Sequence, residues 1–98
     1  MYYNKEGEPI SMLQWADLME DMEYRKVIES YLRGYHISTV WLGLNYNFFS
    51  DAPIHIFETM IFCEDKEDHL SYYMNRSSTI NEAFESHKQA IDLAKDGK

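Results

Sequence analysis

The sequence predicts an α+β fold in which a small antiparallel sheet of about four to five strands carries two helices on one face. The sheet is predicted by apolar residues that recur at every second position from Val40 to Phe48, which is the alternation of a strand with one apolar face. The helices are predicted by two capping boxes, which begin at Ser11 and at Thr79. The order of elements is therefore β-α-β-β-β-β-α, and the length of 98 residues suits a single domain over 1–98.

The N-terminal part is predicted to be a short edge strand followed by a helix. Tyr2-Tyr3 leads into a turn in which Gly7 can take a positive φ. The capping box at Ser11 starts a helix at Met12 that ends near Asp21. Its core-facing stripe is predicted to be Met12, Leu13, Trp15, Ala16 and Met19.

The segment from Tyr24 to Leu32 fits two structures. Its apolar residues have helical spacing, which favours a continuation of the first helix. Arg33-Gly34 directly after it is a turn signal, however, and the sheet otherwise lacks a hairpin partner for the strand that starts at Tyr35. We therefore predict a strand here.

The core of the sheet is predicted to be one antiparallel pair, Tyr35 to Tyr46 with Ile54 to Phe62. The second run is rich in β-branched and aromatic residues. Pro53 limits how far the sheet extends before that strand, because proline cannot donate to the ladder.

The last two elements are predicted to be a short strand and a long helix. The strand is His69 to Met74, and Asn75 to Ser78 breaks it. Thr79 caps a helix that runs to about Ala94. Its apolar stripe is predicted to be Ile80, Ala83, Phe84, His87, Ala90, Ile91 and Ala94.

Composition excludes several classes of function. The net charge of −8, from 17 acidic and 9 basic residues, opposes direct nucleic-acid binding, because Lys and Arg supply the affinity for phosphates. The chain lacks a signal pattern and an apolar run of membrane length, and its one cysteine, Cys63, cannot form an internal disulfide. We expect a cytoplasmic protein, with no membrane, that folds alone or as a small homo-oligomer.

The histidines do not predict a metal site or a cofactor. They lie 19, 14 and 18 positions apart, and no pair has the spacing that places two ligands on one metal. His87 falls within the apolar stripe of the last helix. We expect it to be a buried imidazole with a hydrogen bond to a backbone carbonyl or a tyrosine.

Glu58 stands in the middle of an otherwise apolar strand, where an uncompensated buried carboxylate would cost several kcal/mol. It is therefore exposed, paired across the sheet with an Arg or Lys, or functional. Alternation places it on one face with Ile56 and Met60. A groove lined by aromatic residues is predicted on that face, with Glu58, Asn45 and Trp41 at its floor, unless another subunit covers it.

Several segments carry a resemblance. They are the run from His36 to Asn45, the run Ile56 to Phe62, Thr79 with Glu82-Ala83 and His87, and an opening with Gly7, Pro9-Ile10-Ser11 and Trp15. Together they resemble a group of small proteins that recur in bacteriophage genomes and prophages. The resemblance covers nearly the whole chain and implies a phage origin, with no established activity. Relatives often carry a histidine where this chain has Tyr46.

These observations predict a phage-type accessory protein that acts by stoichiometric binding, as an antagonist of host antiviral defence. It would occlude a site on a host protein or sequester a small signalling nucleotide. The contact is predicted to consist of Trp41, Asn45, Tyr46 and Glu58 with the acidic loop residues Glu64, Asp65, Glu67 and Asp68. The alternatives are a small hydrolase that uses Glu58 with a histidine, and a structural or oligomeric phage protein without a ligand.

Overall fold

The computed structural model describes residues 1–44 and 54–96. Their elements follow the chain as strands β1 (Tyr2–Tyr3) and β2 (Pro9–Ile10), helices α1 (Met12–Met19) and α2 (Met22–Arg25), strands β3 (Lys26–Leu32), β4 (Tyr35–Trp41) and β5 (Phe57–Cys63), a 3₁₀ helix (His69–Tyr72), strand β6 (Met74–Ser77) and helix α3 (Ile80–Asp96). The predicted α+β fold is confirmed.

The central sheet is antiparallel in the order β3-β4-β5-β6, and a separate hairpin joins β1 to β2. The predicted core pair is confirmed as β4 with β5, in a register that places Ile37 opposite Ile61. The pairing leaves its regular ladder after Trp41, where the N–H groups of Leu42 and Gly43 both donate to the carbonyl of Ile56, at 2.7 and 3.3 Å. The predicted strands are too long, because Leu42 to Leu44 and Ile54 to Ile56 lie outside β4 and β5, and Leu44 forms an isolated bridge with Tyr2 instead. Asn45, Tyr46 and Pro53 lie outside the described residues.

The ambiguous segment is a strand over Lys26–Leu32, as predicted, and only its first residues belong to the single turn α2. Arg33 and Gly34 connect β3 to β4 with φ values of 53° and 81°. Two consecutive positive φ values are typical of a type I′ hairpin, whose twist matches that of the strands it joins. The turn signal therefore decided between the two structures.

Helix α1 begins with the predicted capping box. The N–H of Gln14 donates to Ser11 Oγ at 3.1 Å, and the N–H of Ser11 donates to Gln14 Oε1 at 2.9 Å. The predicted stripe is partly wrong, because Met12 and Leu13 are exposed. The helix packs on α2 and on β1 rather than along the sheet. Only the side that carries Trp15, Leu18 and Met19 therefore reaches the core.

The predicted strand from His69 to Met74 is wrong. Most of this segment is the 3₁₀ helix, and β6 lies where a break was expected. Asp68 explains the difference, because its side chain accepts from the N–H of Leu70 at 2.9 Å and so stabilises a helical turn. Strand β6 is held by Arg76 opposite Glu58 on one face.

Helix α3 starts at the predicted capping box, in which the N–H of Glu82 donates to Thr79 Oγ1 at 3.1 Å. The predicted stripe is confirmed except for Phe84, which is 46% exposed. The buried positions are small or polar, namely Ala83, Ser86, His87, Ala90 and Ala94. Small side chains let the helix lie close to one face of the sheet, over Ile37 and Ile61.

Candidate open-face binding site

Helix α3 covers one face of the central sheet. In the part of the chain that the structure describes, α2 borders the opposite face at its Val40 end, through Met22 and Arg25. We call this opposite face the open face. Strand register assigns to it Lys26, Glu29 and Tyr31 of β3, His36, Ser38 and Val40 of β4, Glu58, Met60 and Phe62 of β5, and Met74 and Arg76 of β6. Tyr31 is 72% exposed, Met74 50% and Phe62 48%. Exposed apolar side chains on one sheet face mark a candidate contact surface.

The prediction that Trp41 stands on this exposed face is wrong. The register pairs Val40 with Glu58, so Trp41, one residue further, points to the covered face and is fully buried. Its indole N–H donates to the carbonyl of Tyr3 at 3.0 Å. Gly43 lies against the ring, where an added Cβ would come within 2.2 Å of Trp41 Cζ2. Trp41 is therefore a core residue.

Glu58 lies on the open face and is paired across the sheet. Arg76 Nε donates to Glu58 Oε2 at 3.2 Å, and the two residues are direct neighbours on β5 and β6. The side chain of Glu58 is 16% exposed and that of Arg76 is 36% exposed, so the pair contributes at most about 1 kcal/mol to the free energy of unfolding. This is the cross-strand interpretation of Glu58. The other two predicted groove residues, Asn45 and Tyr46, lie outside the described residues.

Three rings form a ladder across the open face that sequence reasoning missed. Tyr31 stacks on His36 with ring centres 4.4 Å apart and planes 6° apart, and Phe62 lies 5.5 Å beyond His36. Tyr31, His36 and Phe62 occupy adjacent positions on β3, β4 and β5. The hairpin turn at Arg33-Gly34 was a sufficient signal, since a two-residue loop places Tyr31 opposite His36. We call this set the aromatic ladder.

A row of polar side chains, His36, Glu29 and Lys26, adjoins the aromatic ladder and shares His36 with it. His36 Nε2 lies 2.8 Å from Glu29 Oε1, and Lys26 Nζ lies 3.0 Å from Glu29 Oε2. Hydrogen bonds from Lys26 and then from His36 hold the pKa of the Glu29 carboxyl below its usual range. The same pairing raises the pKa of Lys26. Both oxygens of the Glu29 carboxylate are therefore already bonded, one to His36 and one to Lys26.

A cavity of about 520 Å³ opens at the hairpin end of the open face. Its walls include the aromatic ladder together with Arg33 and Glu64. Arg33 Nη1 donates to the carbonyl of Lys95 at 2.9 Å, which draws this cation toward the end of α3. A volume of this size is in the range of ligand pockets, and the aromatic walls are typical of them.

The acidic loop, Glu64 to Asp68, adjoins this cavity and divides into two kinds of carboxylate. Asp68 accepts from the hydroxyl of Tyr35 and caps the 3₁₀ helix, and Asp65 accepts from the N–H of Glu67 at 2.9 Å. The bond to Asp68, with burial, raises the pKa of Tyr35 to about 12. Asp65 and Asp68 therefore hold the loop through these hydrogen bonds. Asp68 is half-buried, whereas Glu64, Asp65 and Glu67 are exposed.

The covered face holds a second polar cluster, centred on the fully buried His87. Its Nε2 lies 2.9 Å from Ser30 Oγ, and its Nδ1 lies 2.8 Å from Thr39 Oγ1, which in turn lies 2.7 Å from Thr59 Oγ1. Burial lowers the pKa of the imidazole. The predicted burial is confirmed, but the partners are hydroxyls rather than a carbonyl or a tyrosine.

The predicted alternative of a Glu58–histidine pair is not assembled with either sheet-associated histidine. His36 shares the open face with Glu58 but stands four positions along the strands, roughly 13 Å away, and is engaged by Glu29. His87 lies on the opposite face. Within residues 1–44 and 54–96, no three His, Cys, Asp or Glu side chains are grouped to hold a metal ion.

Comparison of the chain with protein-family models, curated proteins and solved structures finds no match. Among the described helices, none has the length and apolar character needed to cross a membrane. The function is therefore inferred from the geometry of the open face.

Proposed function

We propose that this protein acts by stoichiometric binding rather than turnover, as a phage-type antagonist of host antiviral defence, and that the open face is its contact surface. The observation that carries this proposal is the aromatic ladder. Tyr31 and Phe62 are large and exposed, and both rings contact His36, Tyr31 by stacking and Phe62 with its plane tilted by 31°. Rigid rings offer contact area at a low cost in conformational entropy, which is why aromatic residues are enriched at binding hot spots.

The charges of the open face support the same function. Lys26 is paired with Glu29, and Arg76 with Glu58, so the two cations and two carboxylates compensate each other on a protein of net charge −8. The centre between these pairs carries Val40, Ser38 and Met60. A near-neutral centre with polar residues at its edge is the composition of a protein-binding surface.

The phage origin rests on the sequence resemblance, and the defence target rests on the common use of small phage binding proteins to obstruct host machinery. The target is a host protein or a small signalling nucleotide in the host cytoplasm. Both mechanisms use the same face. Occlusion of a host site places the partner across the ladder, whereas sequestration places a base against one of its rings. Neither mechanism requires a catalytic residue.

Plating efficiency tests the proposal. Bacterial hosts that each carry one defence system are infected with a phage sensitive to it, with and without expression of the chain. We expect wild type to restore plaques in at least one host and Phe62→Ala to fail there. Phe84→Ala is the matched control and should retain activity, because Phe84 is 46% exposed on α3 and Phe62 is 48% exposed.

Two results would contradict the proposal. One is a wild-type chain that restores plaques in none of the hosts, and the other is a Phe62→Ala variant as active as Phe84→Ala. Light scattering of the purified protein supplies a separate check. A dimer that Phe62→Ala dissociates would assign the open face to self-association instead of a host target.

A further inference from the structure

We propose that the cavity at the hairpin end of the open face binds an arginine side chain of a protein partner. This inference rests on the proposed function and selects one of its mechanisms, the occlusion of a basic site on a host protein. The cavity combines the two kinds of group that recognise a guanidinium, namely aromatic rings and a carboxylate.

The three rings of the aromatic ladder, Tyr31, His36 and Phe62, all border the cavity, and Tyr31 and Phe62 are exposed beside it. A planar cation gains energy over a tyrosine or phenylalanine face at about 6 Å or less. Arginine suits such a site better than lysine, because its guanidinium is planar, stacks on rings and is less strongly hydrated.

The carboxylate of Glu64 lies on the cavity wall beside Gly34, and in the part of the chain that the structure describes it has no hydrogen-bond or ion-pair partner. The nearby cation, Arg33, is instead bonded to the carbonyl of Lys95. Glu64 is therefore available to a bidentate donor from outside.

The acidic loop beside the cavity supplies four carboxylates and one lysine within five residues. Such a field attracts a basic partner and speeds its association. It also opposes a phosphate, so a nucleotide fits this cavity less well than an arginine. A surface that presents arginines is the usual feature of a nucleic-acid-binding site.

The experiment titrates the ¹⁵N-labelled full chain with a short peptide that alternates arginine with glycine, followed by NMR. The control peptide carries neutral citrulline in place of each arginine. We expect shifts of the amides of Tyr31, Arg33, Phe62 and Glu64 with the arginine peptide, and an affinity for the citrulline peptide weaker by about tenfold or more.

Variants test the two groups separately. Glu64→Gln should weaken binding of the arginine peptide about tenfold, and Phe62→Ala about threefold to tenfold. The matched controls, Glu85→Gln and Phe84→Ala, alter exposed residues of α3 and should leave the affinity unchanged. Equal effects of site and control variants would overturn the inference.

Other outcomes also decide against the arginine site. The inference would be overturned if the arginine peptide did not bind, if the citrulline peptide bound equally well, or if shifts appeared on α3 alone. None of these results would change the outcome of the plating assay. Guanosine monophosphate that shifts the cavity amides where the arginine peptide does not would favour the nucleotide mechanism. Conversely, arginine binding with failed plating would remove the defence role and leave the arginine site.

Discussion

At the scale of single residues, the chain separates its polar groups by face. On the covered face the hydroxyls of Ser30 and Thr39 bond to His87, and the hydroxyl of Thr59 bonds to Thr39, because each buried polar atom needs a partner. On the open face the charged residues meet each other. We therefore expect His87 to contribute to stability and the exposed rings of the aromatic ladder to contribute to binding.

His87→Leu should lower the free energy of unfolding by about 1–3 kcal/mol and leave binding intact. The leucine removes a hydrogen-bond partner of the half-buried Ser30 hydroxyl and one of the two partners of the buried Thr39 hydroxyl, and losing such bonds has this cost. Urea unfolding and the plating assay measure the two effects. Full stability with complete loss of activity would instead make His87 a site residue.

The burial of His87 predicts that the free energy of unfolding depends on pH. Burial lowers the pKa of His87 in the folded state, so below about pH 6.5 the unfolded chain binds a proton that the folded chain does not. The free energy of unfolding should therefore fall as the pH falls from about 6.5. His87→Leu removes this contribution, and an unchanged pH slope in that variant would contradict it.

At the scale of elements, two glycines with similar backbones differ in what surrounds them. Gly43 has φ +69° and lies against Trp41 and Trp15, whereas Gly7 has φ +83° and open space around it. Gly7→Ala should cost about 1–2 kcal/mol, from the left-handed backbone alone. Gly43→Ala adds overpacking of about 1–3 kcal/mol. Equal losses in urea unfolding would show that Trp41 is not packed as described.

Local signals in the sequence predicted most of the elements. Both capping boxes, the hairpin turn at Arg33-Gly34 and the β4–β5 pair are determined by neighbouring residues, and all are present. The 3₁₀ helix was missed because its cap, Asp68, looked like one more residue of an acidic loop.

The candidate site was harder to predict, because it depends on register. Alternation alone cannot say which face a helix covers, and one residue of shift exchanges the two faces. Trp41 was therefore assigned to the exposed surface, and the exposed rings of Tyr31 and Phe62 were overlooked. The acidic loop was identified from charge, but only the structure separates Glu64 from the structural Asp68.

At the scale of the whole molecule, the acidic loop and the aromatic ladder should affect different rates of binding. Glu64→Lys combined with Glu67→Lys should slow association with the host target and flatten its salt dependence, because exposed charges steer encounter. Phe62→Ala should mainly speed dissociation, because a desolvated ring holds the complex together. Surface plasmon resonance at two salt concentrations separates these effects.

Controls on α3 decide whether these effects are local. Glu85→Lys and Phe84→Ala change the same residue types at exposed positions away from the loop. Both should leave the association and dissociation rates close to those of wild type. Equal changes in the α3 variants would mean that net charge or stability, rather than the open face, controls binding.

The most direct test of the account is a titration of the purified chain against the host component that it suppresses in the plating assay, at a fixed time. Binding through the open face predicts a sharp break near one equivalent of binding sites, retained by Phe84→Ala and lost by Phe62→Ala. Complete suppression at a dose roughly a hundredfold below one equivalent would mean turnover and would contradict the account.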